Sequence, residues 1–335
     1  MTLYSNFFQR GRRNVLVNGN FLSWPAGTSF VSPTSTHTAA MTVFTKSGTG
    51  TYTITASTSS TPNANSTYVH KVDVTGAESV GSDDYALVLK RVEGYDFVPL
   101  IGKKVTLSFW VKSTVTGVYS VSLRNEGADR SFVQEYIVNE SDTWEYKVVQ
   151  MNLNYSGGTW EYSTGRGLII YWSICCGSTR QTDTIGSWLE GNYMASENQV
   201  NGASSTACNF ELSQCQLELG NIATPFIEVP YAEFQETINR YYQAQSVYTH
   251  ATSVATGTGN CYASWDFDTT MRANPTVSHT TAQFWQGGVG WAYSPTVVHS
   301  ANTYRCLTTM AQAGASYVVG YGMLMLIAVT LDARL

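Results

Sequence analysis

The sequence predicts an all-β protein: a jelly-roll β-sandwich followed by one linking helix and a smaller C-terminal β domain. Charged residues make up only 13% of the 335 residues, against about 25% in an average globular domain. Thr, Val, Tyr and Trp, which suit a half-buried pleated surface, are abundant, whereas the Glu, Lys, Ala and Leu mixture of long helices is scarce. Many short alternating segments separated by turn residues are typical of a sandwich or jelly roll.

Residues 1–13 are predicted to form a short arm, because they are polar and basic and show no periodicity. Arg10, Arg12 and Arg13 form its basic cluster, which either contacts an acidic partner surface or is a solvated tail. The formal net charge of −5 argues against nucleic-acid binding, because a phosphate-backbone binder needs a basic stripe on its surface.

Residues 14–230 are predicted to form the sandwich. Apolar and polar residues alternate over Lys104–Ser113, which predicts a strand with one face in a core. Residues 167–176 are apolar almost throughout and are predicted to form a central strand covered on both faces. The apolar parity changes between Leu212 and Cys215, which predicts a β-bulge there.

Residues 231–246 are predicted to form the linking helix, directly after Pro230. Its narrow apolar stripe could pack on the sheet of its own chain or against copies of itself. Residues 247–335 are predicted to form the smaller β domain, whose last strand is apolar on both faces and therefore favours burial against another copy. We expect a homotrimer with the interface candidates Phe234, Ile238, Tyr241, Tyr242, Met323, Met325, Ile327 and Val329.

The compartment is predicted from the N-terminus and the cysteines. The first residues contain no apolar signal-peptide segment, and the apolar stretch 317–331 is short of the ~18 residues of a membrane span. We therefore expect a protein made in a cytoplasm, without membrane insertion. The six cysteines have no CxxC or metal-ligand spacing, so we expect free buried thiols.

Four longer segments carry a resemblance to known proteins: VLVNGNFLSW (15–24), EGYDFVPLIGKKVTLSFWVKS (93–113), SWLEGNYMASENQVN (187–201) and ELSQCQLELGNIATPF (211–226). In this order they resemble a widespread family of bacteriophage tail-fibre and virion-associated proteins with a carbohydrate-binding-module-like jelly roll. The resemblance covers roughly residues 14–280. It implies a place on a virion surface and oligomerisation, and it does not imply an active site. The arm would then contact other virion proteins.

Aromatic rings beside Gly- and Asn-rich turns are the candidate functional residues. Flat rings are platforms for the C–H faces of sugars, while Asn, Gln, Asp and Arg bind the hydroxyls. The same rings could instead belong to the core or to an oligomer interface. The glycan-binding candidates are Trp160, Tyr162, Trp188, Tyr193, Trp285, Trp291 and Tyr293.

No catalytic residues are expected. The five histidines are scattered and fit surface or turn positions, without a metal-ligand spacing, and no nucleophile elbow or phosphate-binding loop is present. Asp266 and Asp268 would share one face of a strand at about 6–7 Å, a separation that glycoside hydrolases also use. No cofactor is expected; the alternative is a Ca²⁺ ion at Asp83 and Asp84 or at Asp266 and Asp268.

The leading hypothesis is a short tail fibre, spike or head fibre on a virion surface that adheres to host surface polysaccharide without hydrolysing it. The first alternative is a purely structural head or tail decoration, or a spike base that mounts another protein. The second is a polysaccharide depolymerase, which would depend on paired carboxylates such as Asp266 and Asp268.

Overall fold

The computed structural model describes residues 14–253, 261–286, 290–293, 296–311 and 323–335. Two compact units are present: unit 1 is Met1–Val229 with Leu335, and unit 2 is Pro230–Arg334. The arm with Arg10, Arg12 and Arg13 lies outside the described residues. Within the described ranges, nearly all of the regular structure is antiparallel β-strand, which confirms the predicted all-β fold class.

The first sheet of unit 1 has six antiparallel strands. The alternating segment Lys104–Ser113 lies inside it, with neighbours on both sides, as its apolar face predicts. The strand order is β1 (Ser29–Val31), β4 (Thr51–Ser57), β5 (Val69–Gly76), β15 (Asn209–Leu219), β7 (Lys104–Ser113) and β10 (Glu145–Asn152).

The second sheet of unit 1 has seven antiparallel strands. Its central strand is the segment predicted to be covered on both faces, and every side chain from position 167 to 176 is buried. The order is β13 (Trp188–Glu190), β9 (Arg130–Val138), β8 (Gly117–Arg124), β11 (Arg166–Cys176), β6 (Tyr85–Glu93), β3 (Thr42–Ser47) and β2 (Thr36–His37).

Short elements complete unit 1. Strands β12 (Gln181–Thr182) and β14 (Ala195–Ser196) form a parallel pair outside the two large sheets. Helix α1 spans Gly94–Phe97, and two 3₁₀ turns span Val98–Leu100 and Ser178–Arg180.

The core of unit 1 lies between the two sheets, because each contributes its apolar face to one cluster. Phe109 on β7 meets Trp172 on β11 edge to face, with ring centroids 5.7 Å apart. Tyr136 on β9 contacts the same phenylalanine at 5.1 Å. Perpendicular aromatic pairs of this kind add about 0.5–1.5 kcal/mol beyond the burial of their area.

A bulge in β15 brings both halves of the strand into the core. The pairing of β15 with β7 shifts register between Ser213 and Gln216, and Gln214 adopts a φ of 47°. The extra residue reverses the alternation of side chains. Leu212 and Cys215 are therefore both fully buried, and the predicted bulge is confirmed.

Unit 2 begins with helix α2 (Tyr231–Asn239) and continues as one seven-stranded antiparallel sheet. Its core joins Val247, Trp265, Cys306 and three side chains of the last strand. The strand order is β19 (Gly290–Tyr293), β18 (Thr276–Gln286), β22 (Met323–Asp332), β16 (Tyr242–Ser253), β17 (Cys261–Asp266), β21 (Arg305–Ala311) and β20 (Thr296–Ala301).

Helix α2 is shorter than the predicted 231–246. The Tyr241 N–H donates to the Ile238 carbonyl at 2.9 Å, and Tyr242 already begins β16. That strand pairs with β22 continuously from Tyr242 to Ala251. A ladder of this length outweighs the local helical pattern, so Tyr241 and Tyr242 do not extend the helical stripe.

Most of the predicted interface side chains are interior residues of the single chain, so their assignment to an oligomer interface is wrong. Side chains that are already buried have no surface to offer a second copy. The strand β22 alternates between buried side chains and half-buried ones such as Leu324 and Leu326, because only one of its faces meets the core. The buried candidates are Phe234, Ile238, Tyr241, Met325, Ile327 and Val329.

Two interface candidates differ from the rest. Tyr242 is half-buried and lies under the Arg334 guanidinium, 4.8 Å from its ring centroid. The side chain of Met323 lies outside the described residues. The homotrimer itself stays a prediction.

The cysteine prediction is confirmed where the structure describes the side chains: Cys175, Cys176, Cys208, Cys215 and Cys306 are free and buried. The side chain of Cys261 lies outside this part of the chain. Within the described ranges, no helix has the length and apolar character that crossing a membrane requires.

Candidate functional site

Three of the seven candidate aromatic residues meet at one edge of the sandwich. The loop that follows β10 carries Trp160 and Tyr162, and the edge strand β13 carries Trp188. Tyr155, from the same loop, stacks on Trp160 with ring centroids 3.6 Å apart and planes inclined by 19°. Trp188 stands nearly perpendicular to both rings, at 5.6 Å from Tyr155 and 5.4 Å from Trp160. Phe97, a core residue, stacks on Trp160 at 5.2 Å.

Backbone carbonyls fix the two indoles. The Trp160 Nε1–H donates to the Gly157 carbonyl at 2.8 Å, and the Trp188 Nε1–H donates to the Asn152 carbonyl at 2.7 Å. Gly157 and Gly158 both have a positive φ, 64° and 86°, which glycine adopts without steric cost. The two glycines therefore allow the tight turn whose carbonyl holds the Trp160 indole in place.

Asp129 ties the loop to the sheet. Its carboxylate accepts hydrogen bonds from the Thr159 N–H and hydroxyl, each at 3.1 Å, and from the Asn125 amide. These hydrogen bonds lower the pKa of Asp129, and the hydrogen bond from Asn125 has the largest effect. The carboxylate is therefore ionised at neutral pH and keeps the loop against the β8–β9 turn.

A groove of about 350 Å³ opens between this loop and β13. Such a volume lies at the low end of the roughly 300–1,000 Å³ of small-molecule sites. Aromatic rings form one part of its wall and polar side chains the other, which is the combination that sugar rings require. Its main lining residues are Phe132, Tyr155, Trp188, Arg130, Asn152, Asn154, Ser187 and Glu190.

Of the seven candidates, Trp188 alone is among the lining residues of this groove, and Trp160 stacks on the lining residue Tyr155. Tyr162 reaches only the rim, with its hydroxyl 3.4 Å from that of Tyr155. Tyr193 follows β13 and its backbone N–H donates to Ser131. Trp285 on β18 lies opposite Trp291 on β19, two residues before Tyr293. The side chains of Trp285, Trp291 and Tyr293 lie outside the described residues.

Tyr155, Phe132 and Arg130 are functional candidates that the sequence analysis missed. Tyr155 lies two residues before the Gly157–Gly158 turn, so the criterion that selected Trp160 would also have selected it. Phe132 and Arg130 lie on β9 and give no such signal. They reach the groove because β9 pairs with β13 from Phe132–Trp188 to Arg130–Glu190.

The candidate carboxylates take part in local structure. Asp83 accepts from the Thr179 hydroxyl at 2.7 Å, and Asp84 accepts from the Gly81 N–H at 2.9 Å. Asp266 is held by Arg305, whose Nε lies 2.6 Å from its Oδ1. The Asp268 N–H donates to Gln243. Among the residues that the structure describes, no group of three His, Cys, Asp or Glu side chains is placed to hold a metal ion.

His70 departs from the expected surface or turn positions, and two further histidines form a pair at the surface. His70 is fully buried and hydrogen-bonded to Thr38, with its Nε2 2.8 Å from the hydroxyl. His279 and His299 are neighbours, with Nδ1 of the first 3.2 Å from Nε2 of the second. They join β18 to β20, two strands that are far apart in the order of the sheet. Sequence spacing gave no sign of either arrangement.

No protein-family profile and no curated protein matches the sequence. Among solved structures, the enzymatically active domain of tailspike protein 4 from bacteriophage CBA120 is similar at 11% identity and a TM-score of 0.35, over 62% of this chain. The chain spans only 22% of that tailspike chain.

Two further structures are similar over their whole length. A putative sugar-binding protein from Bacteroides thetaiotaomicron has 13% identity and a TM-score of 0.35, with 62% of this chain and 100% of that chain covered. A carbohydrate-binding module in complex with β-1,4-galactotriose has 10% identity and a TM-score of 0.30, with the same coverage. At such values these similarities say nothing about what this chain binds.

Proposed function

We propose that this protein is a virion-surface adhesin that binds host glycans, without hydrolysing them, in the groove between Tyr155 and Trp188. The observation that supports this most directly is the pairing of fixed aromatic rings with polar side chains around one groove of about 350 Å³. The rings suit the C–H faces of a sugar, and the amides and hydroxyls suit its ring of hydroxyl groups.

The place on a virion is supported by the resemblance of the segments 15–24, 93–113, 187–201 and 211–226 to phage tail-fibre and virion-associated proteins. On this proposal the protein is made in a bacterial cytoplasm and attaches to other virion proteins through the arm with Arg10, Arg12 and Arg13. Its location would be the virion surface.

Binding without hydrolysis is supported by the carboxylates. Glycoside hydrolysis generally uses two of them, about 5–9 Å apart, whereas Glu190 is the one carboxylate among the groove-lining residues. In unit 2, the hydrogen bond from Arg305 lowers the pKa of Asp266, so this residue is a poor proton donor. We therefore propose no general-acid role for Asp266. We also propose that the protein uses no cofactor.

Trp188→Ala is expected to weaken glycan binding about 30-fold, because loss of a central aromatic contact costs about 2 kcal/mol in a typical binding site. The measurement is titration of the purified protein with polysaccharide released from host cells. Tyr146→Ala is the matched control, since Tyr146 is an exposed aromatic residue on β10 and does not line the groove.

The control variant should bind like the wild type. Equal affinity of Trp188→Ala and wild type would remove the groove from the proposal. Absence of binding to every polysaccharide of the hosts would support the structural alternative, in which the protein mounts another virion component. Release of reducing ends during incubation would support a depolymerase instead.

A homotrimer is also part of the proposal. The outer face of β22 carries Leu324, Leu326 and Ala328, all half-buried, and Tyr248 opposite Leu326 on β16 is 63% exposed. Apolar surface of this kind is stabilised when another copy covers it.

Leu326→Glu is therefore expected to convert trimers to monomers, because the new charge would be desolvated in the interface. Light scattering at micromolar concentration measures this directly. Asn274→Glu, at an exposed position outside the strands, is the charge-matched control and should leave the trimer intact. A wild-type protein that is monomeric under these conditions would refute the trimer.

A further inference from the structure

The charge of the groove indicates which class of glycan it accepts. Arg130 is the one cation among the lining residues, and all of these residues are described. Its Nε donates to the Ser156 carbonyl at 2.9 Å and its Nη1 to the Asp129 carbonyl at 2.7 Å. Its Nη2 lies 3.0 Å from Oε1 of Glu190. Arg130 therefore ties three segments together, and its charge is already compensated.

The two residues of this ion pair differ in solvent exposure. The Arg130 side chain is only 17% exposed, whereas that of Glu190 is 86% exposed. The Asp129 carboxylate lies beside the same arginine and is ionised. A ligand entering the groove therefore meets the negative partner of the pair, while the positive partner lies behind it.

The groove side chains that are free to bind a ligand can form hydrogen bonds with sugar hydroxyl groups. Asn154 and Ser187 are exposed and make no side-chain hydrogen bond, so they offer neutral donors and acceptors. Glu190 Oε2 makes no hydrogen bond and accepts two hydroxyl donors readily. A sugar carboxylate, sulfate or phosphate would instead face Glu190 without a free cation, and like charges near a protein surface repel by about 1–4 kcal/mol at 4 Å.

We infer that the groove selects neutral glycans, rich in hydroxyl groups and free of acidic substituents, and that Glu190 is the residue that excludes acidic ones. This inference rests on the proposed glycan-binding function. It also assigns Arg130 a positioning role: the guanidinium fixes the loop and the strand, and its charge becomes available to a ligand only when Glu190 is neutralised.

The test compares neutral and anionic fractions of host polysaccharide, separated by anion exchange, together with polygalacturonate as a defined uronate polymer. Wild-type protein is expected to bind the neutral fraction with an affinity that stays constant between 0.05 and 0.5 M salt, because no ion pair forms with the ligand. Binding to polygalacturonate is expected to be at least about tenfold weaker.

Glu190→Gln keeps an acceptor oxygen and removes the charge, so it should gain about tenfold in affinity for polygalacturonate. Glu197→Gln is the matched control. It removes the same charge from an exposed position outside the groove lining, and should change neither affinity.

The possible outcomes distinguish failure of the proposed glycan binding from failure of the inference about charge selectivity. No binding of any fraction contradicts the proposed function. Trp188-dependent binding of the anionic fraction by the wild type contradicts the inference and leaves the function intact. Neutral binding with no gain by Glu190→Gln contradicts the role of Glu190. Neutral binding with a gain specific to Glu190→Gln supports both.

Discussion

Acidification from pH 8 to pH 5 is expected to lower the free energy of unfolding of unit 1 by about 2 kcal/mol through His70 alone. His70 lies on β5 with its ring stacked on Trp24 at 5.5 Å and beside Phe21 at 5.4 Å. Burial, aided by the positive charge of Lys90, lowers the pKa of His70 to about 3. The imidazole is therefore neutral in the folded protein down to strongly acidic pH.

The sign follows from proton binding. In the unfolded chain, His70 takes up a proton near pH 6.5, whereas in the folded chain it does so only near pH 3. Between these values the unfolded state binds more protons, so stability falls as the pH falls. The loss is about 1.4 kcal/mol for each pH unit within this window, or about 5 kcal/mol over all of it.

Urea unfolding of wild type and His70→Gln between pH 5 and pH 8 measures this contribution. The glutamine cannot titrate, so the variant should lose about 2 kcal/mol less than the wild type over this range. His250→Gln, at an exposed histidine, should retain the wild-type slope. Identical slopes for wild type and His70→Gln would show that the buried imidazole is not coupled to folding.

Lys112→Met is expected to destabilise unit 1 by about 3–5 kcal/mol, because it leaves a buried carboxylate without its partner. Lys112 on β7 lies directly opposite Glu211 on β15, with Nζ 3.0 Å from Oε1 and side-chain exposures of only 8% and 3%. Ser60 and Trp144 cover the pair, at 3.4 Å and 5.7 Å from the ammonium. Burial raises the pKa of Glu211, against the effect of Lys112.

The double variant Lys112→Met with Glu211→Leu should recover most of this loss, since apolar side chains of similar volume replace a buried ion pair at little net cost. Lys71→Met is the control. Lys71 is a neighbour of Glu211 on β5, but its ion pair with Asp73 is 27% and 36% exposed and is expected to contribute at most about 1 kcal/mol. Equal losses for Lys71→Met and Lys112→Met would contradict the prediction.

Local patterns predicted the strands well, because alternation of side chains depends on the backbone of one strand only. Lys104–Ser113 and Arg166–Cys176 are strands as expected. The bulge near Gln214 was predictable for the same reason, since a change of parity within one apolar segment has few other solutions.

Helix α2 shows where local patterns fail. The stripe from Phe234 to Tyr242 fits a helix, but the chain leaves the helix after Asn239. The competing interaction is the ladder between β16 and β22, whose strands are separated by most of unit 2. A partner so distant in sequence leaves no trace in the local pattern. For the same reason, the burial of Met325 and Ile327 was mistaken for an interface.

The amino-acid sequence alone predicts the all-β class, the main strands of the sandwich and the kind of residue that a glycan site would use. The tertiary structure decided which of those residues meet. Trp188 lies on an edge strand, Tyr155 in the loop after β10 and Arg130 on β9, and the pairing of β9 with β13 brings them together. A groove depends on distances between segments that are remote along the chain, and such distances are set only when two sheets pack around a common core.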